Sequence, residues 1–459
     1  MALILKGGTV VTMNRGREVL SDYDLLLDGE TLVKIAPTGS ITKGHDTEEL
    51  SCHGKIILPG LVSAHSHLSG LAQRGLWQEK SFESWSAKTF ALDNHVDFST
   101  DEIYLIHCAA CIEFVRHGVT TVLDMFTAHR SNALDKVDAA CKAIIDTGLR
   151  GVLAYSFRDQ SPDNREVVAT SISTQSVFAT TRQVAEGVHG RDARLGFMLA
   201  PSAPQRCSDE LLRSTEGLAQ ELGIGVHTHL AEAKNHAEVG KAIYGEPIVK
   251  HLERLGWLNA NLSVAHAVWL DDEEISLLAK YDVKVVHNPA ANLRLGSGMA
   301  RVKQMIRSGV SVGLGCDSVN AGTNYSVFEQ MKLATLMPRS LWSAEEWLVP
   351  DETLEMATLG GARALLLDRI IGSIEEGKKA DLVILNPSSS PSLLPLNNIV
   401  DQLVLAESGA SVETVFVDGK AVMLNGRIKT IDEERVKAKV SSLQPRIGKA
   451  HAAVMARSF

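Results

Sequence analysis

Eight short runs rich in β-branched and small residues recur from residue 56 onward with helical stretches between them, and this alternation constrains the fold more than any other feature. The runs read "IILPGLVSAHSH", "GVTTVLDM", "LRGVLAYSF", "ARLGFMLAPSAP", "GIGVHTHLAE", "LSVAHAVWL", "VKVVHNPAAN" and "VSVGLGCDS". The stretches between them carry helix punctuation. Ser99 with Glu102 forms a capping box ahead of "IYLIHCAACIEFVRH", which stops at Gly118, and a helix over 132–147 stops at Gly148. Ser208 and Asp209 cap "ELLRSTEGLAQELG", while "DDEEISLLAKY" and "ARVKQMIRSG" follow the sixth and seventh runs. Strands alternating with helices imply parallel βα units, which close most often as a (β/α)8 TIM-like barrel; an open doubly wound sheet is the competing arrangement.

Both ends of the chain are β-rich and helix-poor. Residues 3–57 hold short alternating strands such as "ILKGGTVVTM" and "DLLLDGETLVKIAP", and the style returns in "GSIEEGKKADLVILN" and "VETVFVDGKAVMLNGR". Because the termini of a domain often lie close together, residues 1–57 and 371–430 are expected to pair into one small β-sandwich beside a barrel of residues 58–370. Residues 431–459 read as a helical tail with no functional signal.

Composition removes some classes of function. A net charge of -9 does not supply the basic surface that phosphate contact needs, so no nucleic-acid partner is expected. No run of about 18 uncharged apolar residues is present, so no membrane span is expected. The apolar start breaks at Lys6-Gly7-Gly8, too early for a signal peptide, which points to a cytoplasmic chain. Cys108 and Cys111 form a Cys-x-x-Cys inside a helical pattern with no second pair nearby, and read as core thiols.

The metal-capable residues fall at the ends of the predicted strands. In a barrel of this kind that rim carries the active site. His65 and His67 end the first run, His229 and Glu232 the fifth, His266 the sixth, His287 the seventh and Asp317 the eighth. Side chains two apart on a strand point to the same side, so His65 and His67 can grip one ion while Ser66 faces away. The same parity makes His227 and His229 face together, with Glu232 able to curl back over the site. Imidazoles with a carboxylate suit Zn²⁺ or Fe²⁺, which bring the pKa of a bound water near neutrality, and a neighbouring carboxylate can then move its proton.

Together these motifs resemble the amidohydrolase superfamily. They are Pro-Gly-x-Val-x-x-His-x-His on strand one, His-x-x-Glu on five, the His of "VAHAVWL" on six, "HNPAAN" followed by "LRLGSG" on seven and "GLGCDS" on eight. The likeness is greatest to the branch with guanine, cytosine and adenosylhomocysteine deaminases and s-triazine hydrolases (chlorohydrolases), and it spans nearly the whole chain. It implies His65, His67, His229 and Asp317 as ligands of one divalent metal, zinc first and iron as the alternative. It also implies His266 as a partner of the water or substrate and Glu232 as proton shuttle, so that Glu232, His266 and Asp317 form the catalytic group. His227 is expected to be a supporting or structural histidine. Two-metal members need a carboxylated lysine at the end of strand four; here "LAPSAPQR" and, on strand three, "LAYSFRD" offer none. A homodimer or higher homo-oligomer is expected.

Substrate contacts are expected from the loops, at Gln73, Trp77, Ser202, Gln205 and His287, with Trp77 either stacking on a planar ring or plugging the loop. Related nucleoside deaminases carry Pro-His-x-Pro-Tyr where this chain reads "PSAPQR", which counts against a nucleoside. Guanine deaminases read His-Cys-Pro-x-Ser-Asn where it reads "HNPAAN". The leading expectation is an aminohydrolase that deaminates a small nitrogen heterocycle (purine, pterin, pyrimidine or triazine type) and releases ammonia. The alternative is an s-triazine chlorohydrolase or alkylaminohydrolase with the same site. A non-catalytic scaffold is the third reading, and scaffolds of this kind typically lose the ligands that are all present here.

Overall fold

The computed structural model describes residues 2–78, 81–127, 133–160 and 173–456. Met1, Glu79, Lys80, Asn132 and residues 457–459, which belong to segments read above, lie outside the described residues. The chain opens with five strands, β1 (Ala2–Val11), β2 (Val19–Asp28), β3 (Thr31–Pro37), β4 (Thr47–Ser51) and β5 (Ile56–Pro59). Eight more follow as β6 (Leu61–Ser63), β7 (Val119–Phe126), β8 (Arg150–Phe157), β9 (Leu195–Pro201), β10 (Gly225–Leu230), β11 (Leu262–His266), β12 (Lys284–His287) and β13 (Val312–Leu314). The last four are β14 (Leu382–Leu385), β15 (Val412–Val417), β16 (Lys420–Leu424) and β17 (Arg427–Ile428).

Strands β6 to β13 pair in sequence order as one parallel eight-stranded sheet. Its seam is closed by backbone bonds rather than by a ladder: Ala64 N donates to Leu314 O at 2.8 Å and Asp317 N to His65 O at 3.0 Å. The residues that complete the barrel are thus the neighbours of its metal-capable side chains. Val62, Ala64, Leu123, Met125, Val152, Ala154, Met198, Ala200 and Val286 form one buried cluster, which Ala362 to Ile371 extends. They recur at every second position along their strands, as the two-residue period of a barrel wall requires.

The chain ends meet in one continuous nine-stranded sheet, β17-β16-β15-β14-β5-β1-β2-β3, with β4 paired to β1. Leu5, Leu25, Leu27 and Ile57 from the first flank share a core with Leu382, Ile384 and Phe416 from the last. The first predicted run is split between the two sheets. Leu58 and Pro59 do not belong to the barrel strand; they pair with Val383 and Leu382, and the barrel strand begins at Leu61. Gly60 makes the crossing, donating to Asp381 O at 2.9 Å. A Cβ there would sit 1.9 Å from Thr120 Oγ1, so no larger residue fits this passage unchanged.

The helix signals are realised as capping geometry. Ser99 and Glu102 make both bonds of a capping box on the helix Thr100–Arg116. Ser208 caps Asp209–Leu222, which ends on Gly223 in the left-handed region at φ 64°. Cys108 and Cys111 are free, buried core thiols. The helical tail forms Glu433–Ser441 and Gln444–Met455. Val436 packs with Cys108, Ile112 and Ala143, and Ala450 and Val454 pack with Leu92 and Trp77. The tail therefore reaches the loop after β6. No helix among the described residues is long and apolar enough to cross a membrane.

Candidate metal centre

The strand ends bring His65, His67, His229, His266, Glu232 and Asp317 into one cluster. Three overlapping groups could each hold an ion: His65, His67 and Asp317; His65, His229 and His266; and Glu232, His266 and Asp317, with ligand atoms in each within 4.8 Å of one another. Asp317 is the hub. Its Oδ1 lies 3.7 Å from Nε2 of both His65 and His67, and its Oδ2 lies 3.7 Å from His266 Nε2. Glu232 Oε1 is also 3.7 Å from His266 Nε2.

Each imidazole is held by its other nitrogen. His67 Nδ1 donates to Met125 O at 2.7 Å, and His229 Nδ1 to Ser202 O at 2.7 Å. His266 Nδ1 pairs with Asn292 Oδ1 at 2.8 Å, and His65 Nδ1 pairs with His227 Nε2 at 2.9 Å. A neutral imidazole that donates from Nδ1 carries only a lone pair at Nε2. Burial and the surrounding histidines push His65 and His229 well below the usual imidazole value, which keeps them neutral. The Nε2 atoms of His67 and His229 then face each other at 3.3 Å with lone pairs on both sides. His65 Nε2 and His266 Nε2 are buried with no hydrogen-bond partner among the described residues. Such convergence is unfavourable unless a cation lies among the lone pairs, so the donor set fits a divalent metal of the N/O class.

The backbone is bent to make this rim. Ala231, His266, Ala267 and Asp317 all take positive φ, from 43° to 73°, although none is glycine. Such conformations cost of order 1–3 kcal/mol each and persist where the surroundings over-determine them. Here Ala267 N donates to Leu230 O at 2.9 Å and Trp269 N to Ala231 O at 3.1 Å, and Asp317 N is fixed on His65 O. Gly315 leaves room behind the site, since a Cβ there would lie 2.3 Å from Asn288 Oδ1 and 2.8 Å from His65 O.

The loop residues read as substrate contacts separate into two sets. Gln73 donates to Asp93 Oδ1 at 2.5 Å and accepts from Trp77 Nε1 at 2.8 Å and from Asn320 Nδ2 at 3.3 Å. Trp77 is 3% exposed and packs against the C-terminal helix. Of the two expectations for Trp77, the plug fits this placement and the stacking surface does not, because the tail already covers the ring. Ser202 stays on the rim, its carbonyl orienting His229 and its hydroxyl accepting from Arg206 at 3.3 Å. Gln205 is 1% exposed, and neither of its amide atoms has a hydrogen-bond partner among the described residues. His287 is buried beside the cluster with Nδ1 unpartnered, its pKa pushed down to about 3 by burial and by His266. Phe82 and Trp85 of the helix Phe82–Val96 pack with Ala233, Ala291, Leu295 and Ala321, so this helix lies against three of the loops that form the mouth.

Three supporting residues went beyond the strand-end pattern. Asn292 holds His266, and the Asn of "HNPAAN" was its signal in the sequence. Asp124 accepts from Leu68 N at 3.0 Å and faces His107 at 3.1 Å, fixing the segment next to His67. Asp93 borders a small cleft that His67 also lines. Burial pushes its carboxyl up to about 7 against the opposing bond from Gln73.

A parallel barrel with a histidine and carboxylate rim, flanked by a sheet of both chain ends, defines a class of metal-dependent hydrolases. The chain belongs to the amidohydrolase family, whose model matches residues 56–422. A 5-methylthioadenosine/S-adenosylhomocysteine deaminase from Moorella thermoacetica is 32% identical over 441 residues, 96% of this chain and 98% of that protein. One of the same name from Bacillus cytotoxicus is 30% identical, over 93% and 95% of the two chains. Among solved structures, an adenosine deaminase from Xanthomonas campestris with bound zinc superposes with a TM-score of 0.89 at 26% identity, covering 97% of this chain and 98% of that one. Atrazine chlorohydrolase from Arthrobacter aurescens with zinc gives 0.89 at 25%, covering 96% and 99%.

Proposed function

We propose that the chain is an aminohydrolase that replaces an exocyclic amino group on a nitrogen heterocycle by hydroxyl and releases ammonia. His65, His67, His229 and Asp317 would hold one divalent ion, zinc first and iron as the alternative. When bound, the ion supplies Lewis acidity and lowers the pKa of a water to about 7. The observation that carries the reading is the approach of Nε2 of His67 and Nε2 of His229 to 3.3 Å beside Asp317, with Nδ1 of each ring held on a backbone carbonyl.

The remaining work falls to Glu232 and His266. Glu232 is 5% exposed and close to His266, so its carboxylate is placed to carry a proton to the ring nitrogen and then to the departing amine. His266, held at Nδ1 by Asn292, offers Nε2 as an acceptor beside both Glu232 and Asp317 and orients a hydroxyl between them. Gln205 and His287, with unpartnered polar atoms, are the leading substrate contacts.

The relatives support one class of substrate ring over the others. The curated relatives named above are deaminases of adenine nucleosides, which supports an aminopurine-type ring and returns a nucleoside to consideration despite "PSAPQR". The likeness to atrazine chlorohydrolase supports the second reading, in which the same site expels chloride or an alkylamine from an s-triazine. Cytoplasmic location and a homo-oligomeric state complete the proposal. An ammonia-release screen over aminopurines and their nucleosides, pterins, pyrimidines and triazines tests it. Ammonia from a purine-type ring is the expected result, and chloride or alkylamine from triazines without any ammonia overturns it.

A further inference from the structure

His227 lies one turn of the strand pleat below His229, on the same side of β10, yet none of the three ion-binding groups contains it. It is completely buried, and both its ring nitrogens are engaged. Nε2 meets His65 Nδ1 at 2.9 Å, and Nδ1 meets Ser263 Oγ on β11 at 2.7 Å. The three groups form a line from the rim into the barrel wall, and only one direction of donation suits a His65 that ligates a metal. His65 must offer a lone pair at Nε2, so its proton sits on Nδ1 and is donated to His227 Nε2. His227 Nε2 is then an acceptor, its proton sits on Nδ1, and Ser263 Oγ accepts it.

We propose that His227 and Ser263 are positioning residues that select the tautomer and ring orientation of His65, and so set the affinity of the site for its metal. The inference rests on the metal reading of the site. Were the relay reversed, with Ser263 donating and His227 carrying its proton on Nε2, His65 would be forced to protonate Nε2 and would no longer ligate. His65 differs in this from His67 and His229, which are held by backbone carbonyls that can only accept. A backbone carbonyl allows one tautomer, whereas a histidine allows two, and Ser263 Oγ, by accepting the His227 Nδ1 proton, completes the direction that suits a ligating His65.

Zinc affinity is measured by chelator competition on metal-free protein, for the wild type and for His227→Leu, His227→Gln and Ser263→Ala. Thermal melts of the metal-free forms report folding separately. Leucine removes the acceptor, and the expected loss is about 10- to 100-fold, the range for residues that orient a ligand. Glutamine presents an acceptor oxygen in its place and is expected to recover most of that loss; Ser263→Ala frees the tautomer and is expected to fall between. Cobalt substituted for zinc is expected to give an altered visible spectrum in His227→Leu and a near-native one in His227→Gln. Equal affinity in His227→Leu and wild type, or equal loss in the leucine and glutamine variants, overturns the inference. A wild type that binds no zinc overturns the metal reading as well, so the two failures are told apart.

Discussion

At the scale of single residues, the proposed reaction divides its work among six clustered side chains. Glu232→Gln keeps the shape of the carboxyl but cannot accept a proton, and Glu232 is absent from the proposed ligand set. The expected outcome is retained metal with turnover reduced about 10²- to 10⁴-fold; near wild-type turnover contradicts the shuttle role. His65→Ala removes a proposed ligand whose Nε2 has no hydrogen-bond partner among the described residues, and is expected to lose the metal. The clustering of these side chains was legible in the sequence because a strand's two-residue period and a barrel's common rim bring scattered histidines together. The tautomer-setting partners were less legible. His227 shared the parity of His229, but nothing local named Ser263, which reaches it only across the β10–β11 ladder.

At the scale of elements, the loop after β6 departs most from what the sequence suggested. "LAQRGLWQEKSFESW" offered polar and aromatic groups suited to a substrate, yet Gln73 and Trp77 are committed to Asp93, Asn320 and the C-terminal helix. The reason is distance in sequence: Ala450 and Val454 cover the indole, and no local pattern announces a contact over more than 370 residues. The strand before the loop hides its division for a different reason, since Ile56 to Val62 is apolar throughout and a sheet change at Gly60 leaves no break in the pattern. Asp93 gives this element a pH signature. Its carboxyl titrates near 7 in the folded chain and at the ordinary carboxylate value when unfolded, so between those values the folded chain holds a proton that the unfolded chain has released. Stability from this group therefore falls as pH rises from about 4 to about 7. Asp93→Asn is expected to flatten that part of the stability profile, read from urea midpoints across the range. An unchanged slope contradicts the assignment.

At the scale of the whole molecule, the barrel and the sheet of the chain ends are joined by charge as well as by the shared strand run. Arg150 at the start of β8 is 2% exposed and donates to Asp381 Oδ2 at 2.9 Å and Oδ1 at 3.1 Å, and also pairs with Asp418. Removing one partner of a buried ion pair leaves the others uncompensated, and Arg150→Met is expected to cost about 3–5 kcal/mol in chemical denaturation. A loss within about 0.5 kcal/mol, the range of an ordinary surface change, contradicts this. The alternation of strands and helices made the barrel and the pairing of the two flanks readable in advance, because both follow from periodicity and short connections. The arginine clamp was not readable, since Arg150 lies 231 and 268 residues from the two carboxylates it joins.

The central claim is that the histidine and aspartate rim holds a divalent metal that the chemistry requires. Metal analysis of protein purified without chelator, paired with ammonia release before and after stripping and zinc restoration, tests this most directly. The expected result is about one equivalent of zinc or iron per chain, loss of ammonia release on stripping and its recovery as zinc is restored. Less than about half an equivalent of bound metal, or undiminished ammonia release from the stripped protein, contradicts it.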